Sequence, residues 1–149
     1  MGIYIKQKCN NEWNKLCEIN KLVQEGFYIS AGKIRNVPVS IGGTSWKADF
    51  PIEATIKEEL NMILNSEKEE IDKAIELLLY TMKKQIYLDG NKRTAVIFSN
   101  HYLISKGKGI ISIPAELTDK FKELLIPYYE GKDELKIKEF LKNECYINI

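Results

Sequence analysis

The stretch Asp89-Gly90-Asn91-Lys92-Arg93 concentrates the residue types that handle an anion. Glycine lets the backbone fold around phosphate oxygens, and a helix N-terminus opening at the same place presents unpaired N–H groups and a partial positive charge. Arg93 offers a planar fork of donors suited to phosphate, and Lys92 a mobile point charge. Asp89 has the oxygen donors preferred by Mg²⁺, a hard ion that also prefers phosphate partners. The plainer reading of the same residues is a helix–helix corner, with Asp89-Gly90 as the turn and Asn91 as N-cap. His101 is the only histidine, so the usual base at neutral pH has one place to be. It stands ten residues beyond Asn91. At 1.5 Å per residue that is about 15 Å along the helix. It is expected to be a core histidine with a hydrogen-bond partner.

The elements that must position this loop are mostly helical. A first helix is expected from an Asn10 or Asn11 N-cap, with Trp13, Leu16, Cys17, Asn20 and Val23 on one face and Gly26 closing it. In residues 27–50, Val37, Val39 and Ile41 alternate with Pro38 and Ser40, and Gly42-Gly43 supplies a turn. That predicts a short surface hairpin, with Pro38 confining any strand to an edge. Ile52, Ile56, Leu60 and Ile63 mark the next helix. Ser66 to Glu69 forms a capping box before another, with Ile71, Ile75, Leu78 and Met82 inward. The helix opened by the loop carries Ala95, Val96, Ile97, Phe98, Tyr102, Leu103 and Ile104 with no polar face, which predicts burial all round. Two more helices follow. One starts at Ile113-Pro114, with Phe121, Leu124 and Leu125 inward, and runs to Gly131; the other is capped by Asp133 and carries Leu135, Ile137, Phe140 and Leu141.

At 149 residues the chain is one domain's worth, and its 44% apolar content supports a core. The 22 basic and 21 acidic residues nearly balance, which argues against a nucleic-acid-coating protein and against an acidic tail. The longest charge-free apolar run, Thr94 to Ser105, falls well short of the roughly 20 residues of a membrane span. No secretory signal is visible at the start of the chain. Cys9, Cys17 and Cys145 are scattered and odd in number, so free thiols and a cytoplasmic location are expected, with no zinc spacing. Gly42-Gly43 is a turn rather than a phosphate loop, because no helix with a following Lys-Ser/Thr is attached. Lys83-Lys84 is a favourable helix-end contact. Tyr128, Tyr129 and Trp46 are expected to pack in the core or flap, while Arg35 is a candidate contact on the substrate side.

Taken in order, QIYLDGNKRTAVIFSNHYLISKG resembles the signature of the Fic/Doc family, His-x-Phe-x-(Asp/Glu)-(Gly/Ala)-Asn-(Gly/Lys)-Arg. AGKIRNVPVSIGGTSW is similar to the family's flap, and ISIPAELTDKFKELLIPYYEGKDELKIKEFL to its closing helices. The resemblance covers about residues 21–141. It implies a single domain over 1–149: a mostly α, Fic-type helical bundle with a buried central helix and a short β-hairpin flap at about 36–46. By the same resemblance, Asp89 would bind Mg²⁺ bridging the phosphates of ATP. Gly90, Asn91 and Lys92 would line the anion nest, and Arg93 would grip a terminal phosphate. Val39, Ser40, Ile41, Gly42, Gly43 and Thr44 would pair with a protein target by strand addition. Most members transfer AMP from ATP to a protein hydroxyl. The Doc branch, which carries a lysine at the position of Lys92, binds the nucleotide differently and transfers the γ-phosphoryl group.

The departures from the signature set the competing readings. Gln85 stands where the family has the histidine that takes the hydroxyl proton, and an amide has no useful proton equilibrium. Losing a general base commonly costs roughly 10²–10⁴ in rate. Tyr87 replaces phenylalanine, and its hydroxyl needs a partner. Val96 replaces the second arginine of the adenylylating members. Lys21 to Gly26 has the Glu-Gly of the family's inhibitory helix but neither its Ser/Thr nor the arginine that the glutamate engages, so Glu25-Gly26 reads as an ordinary helix end. Three readings remain. The first is a nucleotide-binding pseudoenzyme, and the second an impaired or active adenylyl- or phosphotransferase. The third is an interaction module with an antitoxin or regulatory partner.

Overall fold

In the computed structural model, the backbone is described for residues 2–149 and the side chains for residues 11–149. Six α-helices carry the fold: α1 (Gly2–Gln24), α2 (Glu53–Leu64), α3 (Glu70–Lys84), α4 (Asn91–Ser105), α5 (Thr118–Tyr129) and α6 (Leu135–Phe140). Between α4 and α5 lie β1 (Ile110–Ile111) and a 3₁₀ turn (Ala115–Leu117). A π-type turn (Leu141–Cys145) leads into β2 (Tyr146–Ile147), which pairs antiparallel with β1 in the register Ile110 to Ile147. Among the described residues no helix is long and apolar enough to cross a membrane.

The bundle is built on α3 and α4, its most extensively packed helix pair, with α1 laid against α4 and α2. Burial corrects one expectation for α4, which is not buried all round. In α3, Ala74, Ile75, Leu77, Leu78, Leu79, Thr81 and Met82 are buried, and the three consecutive leucines put core on several sides. In α4 the buried set is Asn91, Thr94, Ala95, Phe98, Ser99, Tyr102 and Leu103, the single stripe of an amphipathic helix. Ile97 and Ile104 are exposed, and so is His101, which shares their side of the helix and is not a core histidine. Composition alone misleads here because Val96 and Ile97 face an open cavity instead of another element.

The helix ends differ from expectation in two places. α1 begins at Gly2, upstream of both Asn10 and Asn11. The Ser66 hydroxyl donates to the Ile63 carbonyl and so finishes α2; the next helix starts at Glu70 without a side-chain cap. Gly26 closes α1 at φ +87°, a backbone angle that glycine adopts without strain. Asp133 caps α6 as expected, accepting from the N–H groups of Leu135 (3.0 Å) and Lys136 (3.2 Å).

Residues 36–46 turn at Gly42-Gly43 but form no strand ladder. Their limbs are held by side-chain hydrogen bonds instead of by a ladder. Arg35 donates to the carbonyls of Val37 (3.0 Å) and Asp49 (2.8 Å), while Thr44 donates to Glu130 Oε2 (2.9 Å) and accepts from the Trp46 N–H (3.1 Å). Pro38 removes one of the few donors a ladder this short could use. The expected hairpin is therefore an open, extended loop whose tip is a turn.

Candidate functional site

The loop from Gln85 to Gly90 joins α3 to α4, and two unusual backbone angles shape it. Gln85 ends α3 in the left-handed region (φ 46°, ψ 55°), the only described non-glycine residue with positive φ. Gly90 enters α4 at φ +75°. A left-handed glutamine is an uncommon conformation that persists only where its surroundings hold it. They do so here. Gln85 Nε2 donates to the Met82 carbonyl (2.6 Å), its Oε1 accepts from Asn91 Nδ2 (3.3 Å), and its own carbonyl accepts from the Arg35 guanidinium.

Asn91 closes the loop from inside. Its Oδ1 accepts from the Tyr87 N–H (3.0 Å) and its Nδ2 donates to the Tyr87 carbonyl (2.8 Å), so one buried amide satisfies both backbone groups of that residue. The Tyr87 hydroxyl finds its partner in Cys17 Sγ (3.3 Å). Burial and, after it, the neighbouring thiol hold that phenol well above its ordinary value. Asn20 of α1 supports the turn from below. Its Nδ2 donates to the Asp89 carbonyl (3.1 Å) and to Thr94 Oγ1 (3.2 Å), and its Oδ1 accepts from the Gly32 N–H (2.8 Å).

The loop residues line a cavity of about 310 Å³ together with Val39 to Gly42. Gln85, Asp89, Gly90, Asn91, Lys92 and Arg93 thus face the first half of the flap across one space. Gly43 and Thr44 lie outside its lining; Thr44 is turned to Glu130. Asp89 Oδ1 accepts from the Gly90 N–H (2.8 Å), and Oδ2 has no donor among the described residues. The described residues hold no cluster of three or more acidic, histidine or cysteine groups that could form a metal cage. One exposed carboxylate beside a helix N-terminus fits the habit of Mg²⁺, which keeps waters and leans on phosphates.

Beyond Lys92 and Arg93 opens a second, largely apolar cavity of about 520 Å³, lined by Val23, Met82, Val96, Ile97, Ile113 and Phe121, with Lys122 of α5 at its edge. Among the described residues, Lys92, Arg93 and Lys122 have no acidic partner within 4.0 Å. Burial and, after it, Lys122 hold the Lys92 ammonium below its ordinary value. Such a cluster of unpaired cations stores repulsion that an anion relieves.

Four supporting residues lie outside the motif. Gln24, buried at the end of α1, turns its amide oxygen to the loop, where it accepts from Arg93 Nη2 (2.8 Å) and the Gly90 N–H (3.2 Å); hydrogen bonding assigns that orientation. Glu25 is exposed and takes no part. Arg35 is a buried clamp between flap and loop, not a contact for substrate. Leu16, Asn20 and Gln24 recur every four residues along one buried face of α1. Two polar residues on an inward stripe were the available signal, because buried amides demand partners. Lys122 had no such signal, since a lysine on an amphipathic helix reads as solvated.

Comparison with curated proteins gave no match. The sequence profile of the Fic/DOC family matches residues 12–103, a span that holds the second half of α1, the flap, α2, α3, the loop and most of α4. With the helical bundle and the loop geometry in place, the chain belongs to the Fic/DOC family.

Proposed function

We propose that this Fic-type domain binds ATP with Mg²⁺ at the loop 89–93 and presents its flap to a protein segment, and that Gln85 leaves it impaired in transfer. The observation that carries this reading is the state of Gln85 itself. Both ends of its amide are engaged by residues that flank the loop, and the residue is only 9% exposed. It holds the loop's shape and has no lone pair of useful basicity to offer an incoming hydroxyl. Everything needed for anion binding nevertheless remains: the N-terminus of a 15-residue helix, Arg93, and the unpaired Lys92 and Lys122. Asp89 would hold the metal, whose chemistry is to neutralise charge between phosphates. The flap's open backbone suits strand addition, which asks little of the partner's sequence.

A second reading draws on the apolar cavity beside Arg93. Val96 lines it where the adenylylating members would place an arginine, leaving room for a nucleoside on that side. A nucleotide seated that way favours γ-phosphoryl over adenylyl transfer. The test is label transfer from α- and γ-labelled ATP with Mg²⁺ into a cell lysate, using the native chain beside Gln85→His. The proposal expects ATP binding by both and a gain of roughly 10²–10⁴ in transfer for the histidine variant. Efficient transfer by the native chain refutes the impairment. No ATP binding by either transfers the case to an interaction module with an antitoxin or regulatory partner.

A further inference from the structure

A separate cavity of about 450 Å³ lies under the segment that follows the flap, between α2, the end of α3 and the end of α5. It shares no lining residue with the loop cavity or with the apolar cavity beside Arg93. Its volume falls in the range of small-molecule sites. Its walls are aromatic: Trp46, Phe50, Tyr80 and Tyr128, with Ile52 and Ile56 at the base of α2. Trp46 is braced from behind by stacking on buried Tyr129 at 5.4 Å between ring centroids and 7° between planes, so this wall is preformed.

The charges around it are not equivalent. Lys84 and Glu59 neutralise each other at 3.1 Å, with the Tyr80 hydroxyl buried beside Glu59. Asp49 is exposed, where water screens it. Lys83 is half-buried and has no acidic partner among the described residues. It lies over the rings of Tyr128 (5.1 Å) and Trp46 (5.8 Å) and donates only to the Tyr128 carbonyl, at 3.3 Å. An ammonium has three donors, so Lys83 retains two. Its charge is the uncompensated one inside an aromatic box.

We propose that this cavity is a binding site for a small organic anion with a flat apolar body, its carboxylate on Lys83 and its ring among Trp46, Phe50, Tyr80 and Tyr128. A cation is disfavoured by Lys83, and a neutral aromatic gains only the apolar part.

Ligand-observed NMR with 2-naphthoate, 2-naphthamide and 2-naphthylmethylammonium, run on the full chain, tests the assignment. The naphthoate is expected to bind about tenfold tighter than the amide, the effect of one charge-assisted hydrogen bond. The ammonium compound is expected not to bind measurably. Lys83→Met should erase the preference for the anion. Thr55→Trp, placed at an exposed position on the cavity wall, should fill the space and abolish binding of all three. Saturating ATP should leave naphthoate binding unchanged, which separates this site from the nucleotide loop. Absence of binding, equal affinity for the three probes, a preference that survives Lys83→Met, or displacement by ATP would each overturn the proposal.

Discussion

Arg35 ties the flap to the loop, and replacing it with methionine isolates that function. Arg35 is 5% exposed, and its guanidinium reaches three carbonyls: Gln85 on the loop, Val37 at the flap's start and Asp49 beyond its end. Its own backbone N–H donates to the Ile86 carbonyl (3.0 Å), and its Cζ lies 5.5 Å from the centre of the Phe50 ring. Methionine keeps the apolar stem and removes every side-chain donor. Charged hydrogen bonds contribute about 1.5–3 kcal/mol each, but removing the cation also relieves its burial, which already depresses the Arg35 pKa. The net loss comes to about 3 kcal/mol. For a chain of this size that lowers Tm by about 6–12 °C. The loss is local to the clamp, so amide exchange across residues 36–50 should quicken by up to about a hundredfold while α3 and α4 slow-exchange cores follow only global stability. Arg35→Lys should not rescue, because an ammonium cannot span three carbonyls with a rigid fork. A Tm shift below about 2 °C with unchanged exchange over 36–50 would refute the clamp.

Asn91→Ala leaves the buried N–H and C=O of Tyr87 without partners and should cost about 2–4 kcal/mol in denaturant unfolding. Gly90→Ala places a Cβ against the Gln24 amide at φ +75°; a loss of at least about 1 kcal/mol and weaker nucleotide binding by calorimetry are expected. Lys122→Met removes the neighbouring charge that helps depress Lys92, so the Lys92 titration, followed by NMR of methyl-labelled lysine, should move up toward the ordinary lysine value but stop short of it, since burial is the larger cause. The same variant should weaken ATP binding severalfold, with the difference shrinking as salt is raised.

The helical class was legible because it rests on local period. Ile56 and Leu60 in α2, and Ile75, Leu78 and Met82 in α3, follow from 3.6 residues per turn whatever they pack against, whereas Ile52, expected with them, is exposed at the start of α2. The loop was legible for a similar reason, since Asp89 to Arg93 is contiguous and its residue types carry their own chemistry. The order of these residues determined the family, a bundle of helices, and a turn of residue types suited to an anion at the start of one of them.

Tertiary structure decided what those parts meet. How far α4 is covered turned on neighbours: α3 and α1 enclose one side, whereas Val96 and Ile97 were left to line a cavity. Whether 36–46 became a ladder turned on Arg35 and Thr44, whose bonds run to Asp49 and Glu130, residues distant in sequence. Gln24 and Lys122, 98 positions apart, reach the same loop from opposite ends of the chain. Period and composition are local quantities, and burial and hydrogen-bond partners are not. A polar side chain's role is set by what the fold brings within 3 Å of it.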